Sequence, residues 1–198
     1  DLSFANGSFI VSGTDKSLSL FHVAELGRKL KSPLDTYNKW TREAMTFPNG
    51  AHVVEVEVDP DTGIVKLKSY TAVDDYGVLV NPSIVQGQMH GAIAQGAGQA
   101  LLEAVVYDEL SAQMLTGSFM DYAVPRADDL PFYETAFEST PCVTNPLGVK
   151  GCGEAGTIAA PSAIFNAIID ALRPFGITHI DGPATPEKIW SSIRAATS

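Results

Sequence analysis

Residues 54–58, Val-Glu-Val-Glu-Val, alternate apolar and acidic side chains with period two and predict a strand with one valine face and one solvated face. Asp59-Pro60-Asp61-Thr62-Gly63 supplies turn residues, and Ile64 to Tyr70 returns as a second strand. Phe4 to Val11 reads as another hairpin, because Asn6-Gly7 offers the two positive-φ positions of a type I′ turn. Ser19 is placed to cap a helix over 20–30 with Leu20, Val23, Ala24 and Leu30 turned inward. Residues 31–50, with Pro33, Pro48, Asn49 and Gly50, predict an irregular connection holding one short helical stretch. Connections within a compact domain are usually about 4–6 residues, so this one is expected to touch something outside the chain. Val105 to Tyr107 with Met114 to Phe119 suggests a further strand pair, and Phe132 to Glu138 one more strand.

Two helices depart from ordinary composition. The first, from about Ile84 to Ala104, carries Gly87, Gly91, Gly96 and Gly98. Interior glycines of that number cost about 3 kcal/mol against alanine, and a helix keeps them where a backbone or ligand comes close. Gln88, Gln95 and Gln99, at i, i+7 and i+11, put three neutral amides on one face. The second, Pro161 to Leu172, has an apolar face of Ile164, Phe165, Ile168, Ile169 and Leu172 and alanine over much of the rest. It is expected to be deeply buried, with Pro161 at the first helical position. A last helix starts at Thr185-Pro186-Glu187. Hairpins combined with buried Gly/Ala-rich helices predict an α+β fold, and one domain is expected over residues 1–198.

Composition narrows the function classes. With 198 residues and 45% hydrophobic content the chain can bury a real core, and area scaling gives roughly 9,000 Å² exposed when folded. Net charge is −10, and no Lys or Arg lies between Lys68 and Arg126. Nucleic acid is therefore not an expected partner, and an anionic ligand in that stretch would have to be held by backbone N–H groups and neutral donors. No apolar run approaches the roughly 18 residues that span a bilayer. Asp1-Leu2-Ser3-Phe4 has neither a basic nor an apolar leader pattern, and opening on Asp1 points to a processed or excised chain. Two cysteines, Cys142 and Cys152, cannot build an iron–sulfur cluster or a four-ligand zinc site by themselves. Free thiols in a cytoplasmic setting are expected.

Gly151-Cys152-Gly153-Glu154-Ala155-Gly156 matches G-x-G-x-x-G, but a dinucleotide-binding unit needs a strand directly before it, and Thr144 to Lys150 does not read as one. Glu154 is the residue of interest. Entering an apolar pocket it would be poised as a general base, whereas at a helix N-terminus it would only complement the dipole, and spacing alone leaves both open. His22, His52, His90 and His179 form no metal-ligand spacing, and His90 reads as a satisfied core histidine. Asp74-Asp75 and Asp128-Asp129 read as solvated turn acids, and both thiols as inert.

Gly148-Val149-Lys150-Gly151-Cys152-Gly153-Glu154-Ala155-Gly156-Thr157 resembles the C-terminal active-site segment of the molybdenum hydroxylases. Gln86 to Gly91, Gln95 to Gln99 and Thr116 to Tyr122 carry the same resemblance. That family includes xanthine dehydrogenase, aldehyde oxidoreductase and the large subunit of aerobic carbon monoxide dehydrogenase. Val73 to Gly77 and Pro183 to Glu187 are most similar to the last of these.

The resemblance implies a piece of a molybdopterin-binding large subunit in which Glu154 is the catalytic glutamate, the base toward a hydroxyl held on molybdenum. It implies that Gln88, Gln95, Gly151, Cys152 and Gly153 line the cofactor, a molybdenum–molybdopterin expected in its cytosine dinucleotide form, with no metal ligand from this chain. The rest of the large subunit, an iron–sulfur small subunit and an FAD-binding medium subunit are the implied partners, in an oligomer acting on a small molecule. Family members are several times longer, so the isolated chain is expected to be inactive, and a silent packing domain is the alternative.

Overall fold

The computed structural model describes residues 1–32, 34–42 and 44–197. By its internal contacts the chain forms two units, residues 1–41 and 42–198.

The first unit is a three-stranded antiparallel sheet, β1 (Leu2–Ala5), β2 (Ser8–Val11) and β3 (Ser17–Ser19), followed by α1 (Leu20–Lys29). Asn6 and Gly7 turn the β1–β2 hairpin at φ 51° and 74°, as the type I′ reading requires. Ser19 caps α1, its hydroxyl accepting from the His22 N–H at 3.2 Å. Val23 and Ala24 are half-buried, but Leu20 and Leu30, expected inward, are exposed, because this small unit has nothing to lay over either end of the helix. Residues 31–48 contain no helix among the described residues, and Pro33 lies outside them.

The second unit holds the core. Strand β4 (Asn49–Val58) pairs antiparallel with β5 (Val65–Asp75), with a register shift at Glu55/Val56, and β5 pairs in parallel with β6 (Glu134–Phe137). Both strands of the predicted hairpin are present and longer than the alternation alone marks. The expected pair at 105–119 reduces to one bridge, Tyr107 to Met114. Helix α2 (Pro82–Leu101) is capped by Asn81, whose side chain accepts from the Ile84 N–H, and it buries Met89, Ile93, Ala97 and Leu101. Helix α4 (Pro186–Thr197) buries Ile189 and Ile193.

Helix α3 (Ala155–Leu172) corrects the expected start: Pro161 sits inside it, not at its first position. Its buried stripe is Ala160, Ile164, Ile168 and Leu172, while Phe165 and Ile169 are half-buried, so the burial is narrower than composition implies. On length and composition Ala155–Phe175 could cross a membrane, yet this stripe belongs to the core of the second unit. The α+β class agrees with the sequence reading.

Helices α2 and α3 meet through small residues. A Cβ at Gly156 would lie 2.9 Å from Ala92 Cβ and 3.1 Å from the Met89 carbonyl oxygen. At Gly96 it would meet Ala160 Cβ at 2.7 Å and Pro161 Cδ at 3.0 Å. The Thr157 hydroxyl closes the junction by donating to the Ala92 carbonyl at 2.8 Å. Gly87 and Gly91, by contrast, face open space, with nothing within 4 Å of where a Cβ would stand.

The second unit leaves large apolar side chains uncovered: Leu110, Phe119, Met120 and Phe132 are almost fully exposed.

Two substitutions separate the two kinds of glycine. Gly156→Ala is expected to destabilise by about 1–3 kcal/mol through overpacking, despite alanine's better helix propensity. Gly91→Ala is expected to stabilise by up to about 1 kcal/mol. Urea midpoints check both, and a Gly156→Ala chain as stable as the parent contradicts the packing described.

Candidate functional site

Helix α2 has two sides. Met89, Ala92, Ile93, Gly96, Ala97 and Ala100 face the core, and Gln88, Gln95 and Gln99 all lie on the exposed side. The crossing of α3 places its N-terminus beside that amide face. Glu154 is the residue at the start of α3, and an open recess of about 460 Å³ is lined by Gln95, Gly153, Glu154, Thr157 and Ile158. Gln88 reaches the same segment, since a Cβ on Gly153 would sit 3.8 Å from its Oε1. Gln88, Gln95, Gly153 and Glu154, some 60 residues apart in the chain, are therefore brought together. Gly151 lies upstream, its N–H donating to Thr46 Oγ1 at 3.2 Å, and Cys152 is half-buried against the core. Gln99 is not among the residues lining the recess.

Of the two readings left open for Glu154, the apolar pocket is not formed among the described residues: Glu154 is exposed, with none of them covering the mouth of the recess. Nor is its carboxylate used as a helix cap. It makes no side-chain capping bond, and only its backbone carbonyl engages α3, accepting from the Ile158 N–H at 3.1 Å. No strand runs directly into Gly151 among the described residues, Val149 making only an isolated bridge to Gly77, and this removes the dinucleotide-fold reading of the glycine pattern.

What precedes the glycines is a tied loop. Gly148 to Lys150 runs along Tyr76 to Val78: the Lys150 N–H donates to the Tyr76 carbonyl and the Val78 N–H to the Gly148 carbonyl, each at 2.9 Å. Gly77 has φ 66° and a Cβ there would overlap the Gly148 carbonyl, so only glycine fits. Asn145 clasps Val149 from both sides, donating to its carbonyl at 2.9 Å and accepting from its N–H at 3.1 Å.

Asp74 and Asp75, expected as solvated turn acids, are neither solvated nor a carboxylate pair. Successive strand residues point to opposite faces, so they separate. Asp74 is buried, accepting from Tyr76 Oη at 2.7 Å and bonded to His52 Nε2 at 3.2 Å, whose Nδ1 meets Tyr70 Oη at 2.7 Å. Burial, with Asp74 alongside, pushes the hydroxyls of Tyr70 and Tyr76 well above the ordinary tyrosine range, and burial takes Tyr133 up to about 12. Asp75 accepts from the Lys150 ammonium at 2.6 Å, the Gly77 N–H at 2.8 Å and the Thr140 N–H at 3.0 Å. His52 and Lys150 lie 22 and 75 residues from these acids, so local sequence gives no signal of either role.

His90, read as a core histidine, is half-buried at the edge of the core, its ring edge-on to Tyr133 and its Nε2 3.3 Å from Thr135 Oγ1. Among the described residues no three His, Cys, Asp or Glu side chains gather as a metal site. Asp129 is a turn acid as expected, accepting from the Arg126 N–H at 2.8 Å. Both cysteines are free, and the Thr144 hydroxyl beside Cys142 lowers that thiol below its ordinary value. A larger apolar recess of about 940 Å³ lies in the first unit and contains none of the candidate residues.

A family model described as a molybdopterin cofactor-binding domain matches residues 1–131. The chain belongs to this molybdopterin-binding family. Relatives extend the likeness across the Glu154 segment. The gamma subunit of the 6-hydroxypseudooxynicotine dehydrogenase complex of Paenarthrobacter nicotinovorans is 38% identical over 96% of this molybdopterin-binding chain. The nicotine 6-hydroxylase large subunit of the same organism is 44% identical over 79% of it. Among solved structures, quinoline 2-oxidoreductase from Pseudomonas putida 86 superposes with a TM-score of 0.82 at 33% identity over 98% of the chain. The reconstituted CO dehydrogenase from Oligotropha carboxidovorans does so at 0.83 and 29% over all of it. The chain covers 19–25% of those two relatives and 25–26% of the two solved chains.

The residues present fit the family's cofactor. Gly87, Gly91 and Gly151 leave open space where side chains would stand, and no packing inside the chain demands glycine there. The exposed amides of Gln95, on the recess, and Gln88, beside Gly153, offer neutral donors and acceptors to a polar heterocycle.

The Asp75 carboxyl is held well below the usual range, first by the Lys150 hydrogen bond and then by the Thr140 and Gly77 N–H groups. A depressed folded value contributes stability that is complete above about pH 4, where an unfolded Asp is ionised, and is lost as pH falls below it. Asp75→Asn should therefore flatten the acid loss of stability. Urea midpoints at pH 5 and pH 3 test this, and parallel declines in parent and variant refute it.

Proposed function

We propose that the chain is the base-bearing part of a molybdenum-dependent hydroxylase large subunit, with Glu154 as the general base and Gln88, Gln95 and Gly151 to Gly153 against the molybdopterin. The observation that carries this reading is the convergence of the α2 amide face with Gly153 and Glu154 around one recess. Bound molybdopterin would supply the redox chemistry of substrate hydroxylation. Glu154 would take up a proton at its carboxylate, which is exposed, free of capping duty and on the rim of the recess. Gln88 and Gln95 would orient the cofactor by amide hydrogen bonds, and the open glycine positions would let it approach the backbone.

The proposal extends to the cytosine dinucleotide form of the cofactor, to iron–sulfur and FAD partner subunits, and to a cytoplasmic setting. Relatives named as large or gamma subunits support a multi-subunit assembly, and two unpaired thiols support a reducing compartment. The relatives' greater length and the exposed apolar side chains favour a chain that is silent alone and completed by the rest of a large subunit. Substrates named for relatives, nicotine derivatives, quinoline and carbon monoxide, define the first panel to try.

In the full-length protein with its partners, Glu154→Gln should abolish turnover, a loss of at least about 1,000-fold for a base acting directly, with molybdenum content unchanged. Metal analysis and acid-released nucleotide on the parent should give about one molybdenum and one cytidine nucleotide per chain. Retained turnover in the Glu154→Gln enzyme removes the base assignment, and absence of both metal and nucleotide favours the silent domain.

A further inference from the structure

Three residues, Gly151, Cys152 and Gly153, separate Lys150 from Glu154, so the Cα atoms of those two residues, four steps apart, can lie at most about 14 Å from each other. Within that stretch the Gly151 N–H bonds to Thr46, while Cys152 and Gly153 make no hydrogen bond of their own among the described residues. Two of the three are glycines, with no neighbour closer than 3.8 Å to either Cβ position. Beyond the Gly151–Thr46 bond and the packing of Cys152 against the core, nothing inside the segment holds it, and its placement is set largely at its ends. Downstream the end is the α2–α3 junction at Gly156 and Thr157. Upstream it is Lys150.

Lys150 is held at both its backbone and its side chain. Its N–H donates to the Tyr76 carbonyl and its ammonium to Asp75 Oδ2, and the two paired side chains are only 10% and 14% exposed. Asp75 in turn is fixed by two backbone N–H donors, and its neighbour Asp74 is locked into the core by His52 and Tyr76. The acid is thus a rigid post at the end of β5, and the lysine is the loop's tether to it. Neither lines the recess that Glu154 borders. With its charge neutralised by Asp75, the ammonium is occupied in the tether and not offered to a ligand.

We propose that Asp75 and Lys150 are the positioning pair of the candidate site, setting the location of Glu154 through Gly151–Gly153 without touching cofactor or substrate. This rests on the reading of Glu154 as the base. A rigid support for a base matters because displacement by about 1 Å can cost about 100-fold in rate.

The test uses the full-length enzyme with its partners in four forms: Lys150→Met, Lys150→Arg, Asp75→Asn and the Lys150→Met/Asp75→Asn double. Hydrogen–deuterium exchange is read on peptides covering residues 148–155 and on β4–β5. Turnover is read with whichever of nicotine, quinoline or carbon monoxide the parent oxidises. In Lys150→Met, exchange over 148–155 should rise about tenfold or more while β4–β5 stays protected. In the same variant kcat should fall about 10- to 100-fold with KM within about threefold and molybdenum retained. Lys150→Arg should recover most of both, and the double variant should be no worse than the worse single.

Parental exchange over 148–155 in Lys150→Met overturns the proposal. So does equal loss of protection in β4–β5, which would make the pair a general stabiliser, and so does a double variant whose losses multiply. If Glu154→Gln keeps its turnover, the base reading fails on its own, while the exchange data still decide whether the pair holds the loop.

Discussion

The second unit depends on how closely α2 and α3 approach. Gly96 and Ala92 on one helix meet Ala160 and Gly156 on the other, at separations where one added methyl group would overlap a neighbour. Glycine in a helix interior costs about 1 kcal/mol in propensity, and Pro161 within α3 leaves the Thr157 carbonyl without its helical donor. That carbonyl faces Gly96, so both irregularities fall in one junction. Close packing of two backbones offsets the local costs with dispersion contacts that longer side chains would prevent. The consequence reaches the site directly. With α3 seated against α2, the residue just before it, Glu154, borders one recess with Gln95, and Gly153 stands beside Gln88.

Much of this is legible in local pattern. Alternation at 54–58 marks a half-exposed strand, Asn6-Gly7 marks a turn, and the 7- and 11-residue spacing of three glutamines marks one helix face. Each of these is decided within a few residues, where propensity and periodicity suffice. What local pattern misreads is decided across the chain. Pro161 carries a strong local preference for a helix start, and it yields because packing on α2 extends the helix back to Ala155. Asp74 and Asp75 look like turn acids, yet Asp74 bonds to His52, 22 residues before it, and Asp75 to Lys150, 75 residues after it. The parallel pairing of β5 with β6, Thr71 beside Glu134, likewise has no local signature.

For the candidate site the boundary between legible and hidden falls within single residues. The identity of Glu154 is marked by its glycine surroundings, and the amides by their spacing. The environment of Glu154 is not: an apolar pocket and an open surface give the same local sequence, and among the described residues none covers its carboxylate. The same lack of cover accounts for the exposed Phe119, Met120 and Phe132. Such side chains add to stability only when covered, so on the proposed reading their exposure and that of the carboxylate describe one condition: the chain builds the floor of a site and leaves its walls open.

A floor of this kind must be stiff where it carries chemistry and empty where it receives a ligand, and the two demands oppose each other in a glycine-rich segment. Glycine clears space but has the largest conformational freedom to lose. The chain separates the demands in space. Around the recess, open glycine positions are Gly151 and Gly153, while rigidity is supplied just outside, by an ion pair at the end of β5 and a helix crossing built of glycine and alanine. With only three residues between the two supports, little slack remains for the segment to use. An acid carried on the first residue after it is consequently held almost as firmly as one mounted on the helix itself, without any side chain intruding on the recess it borders.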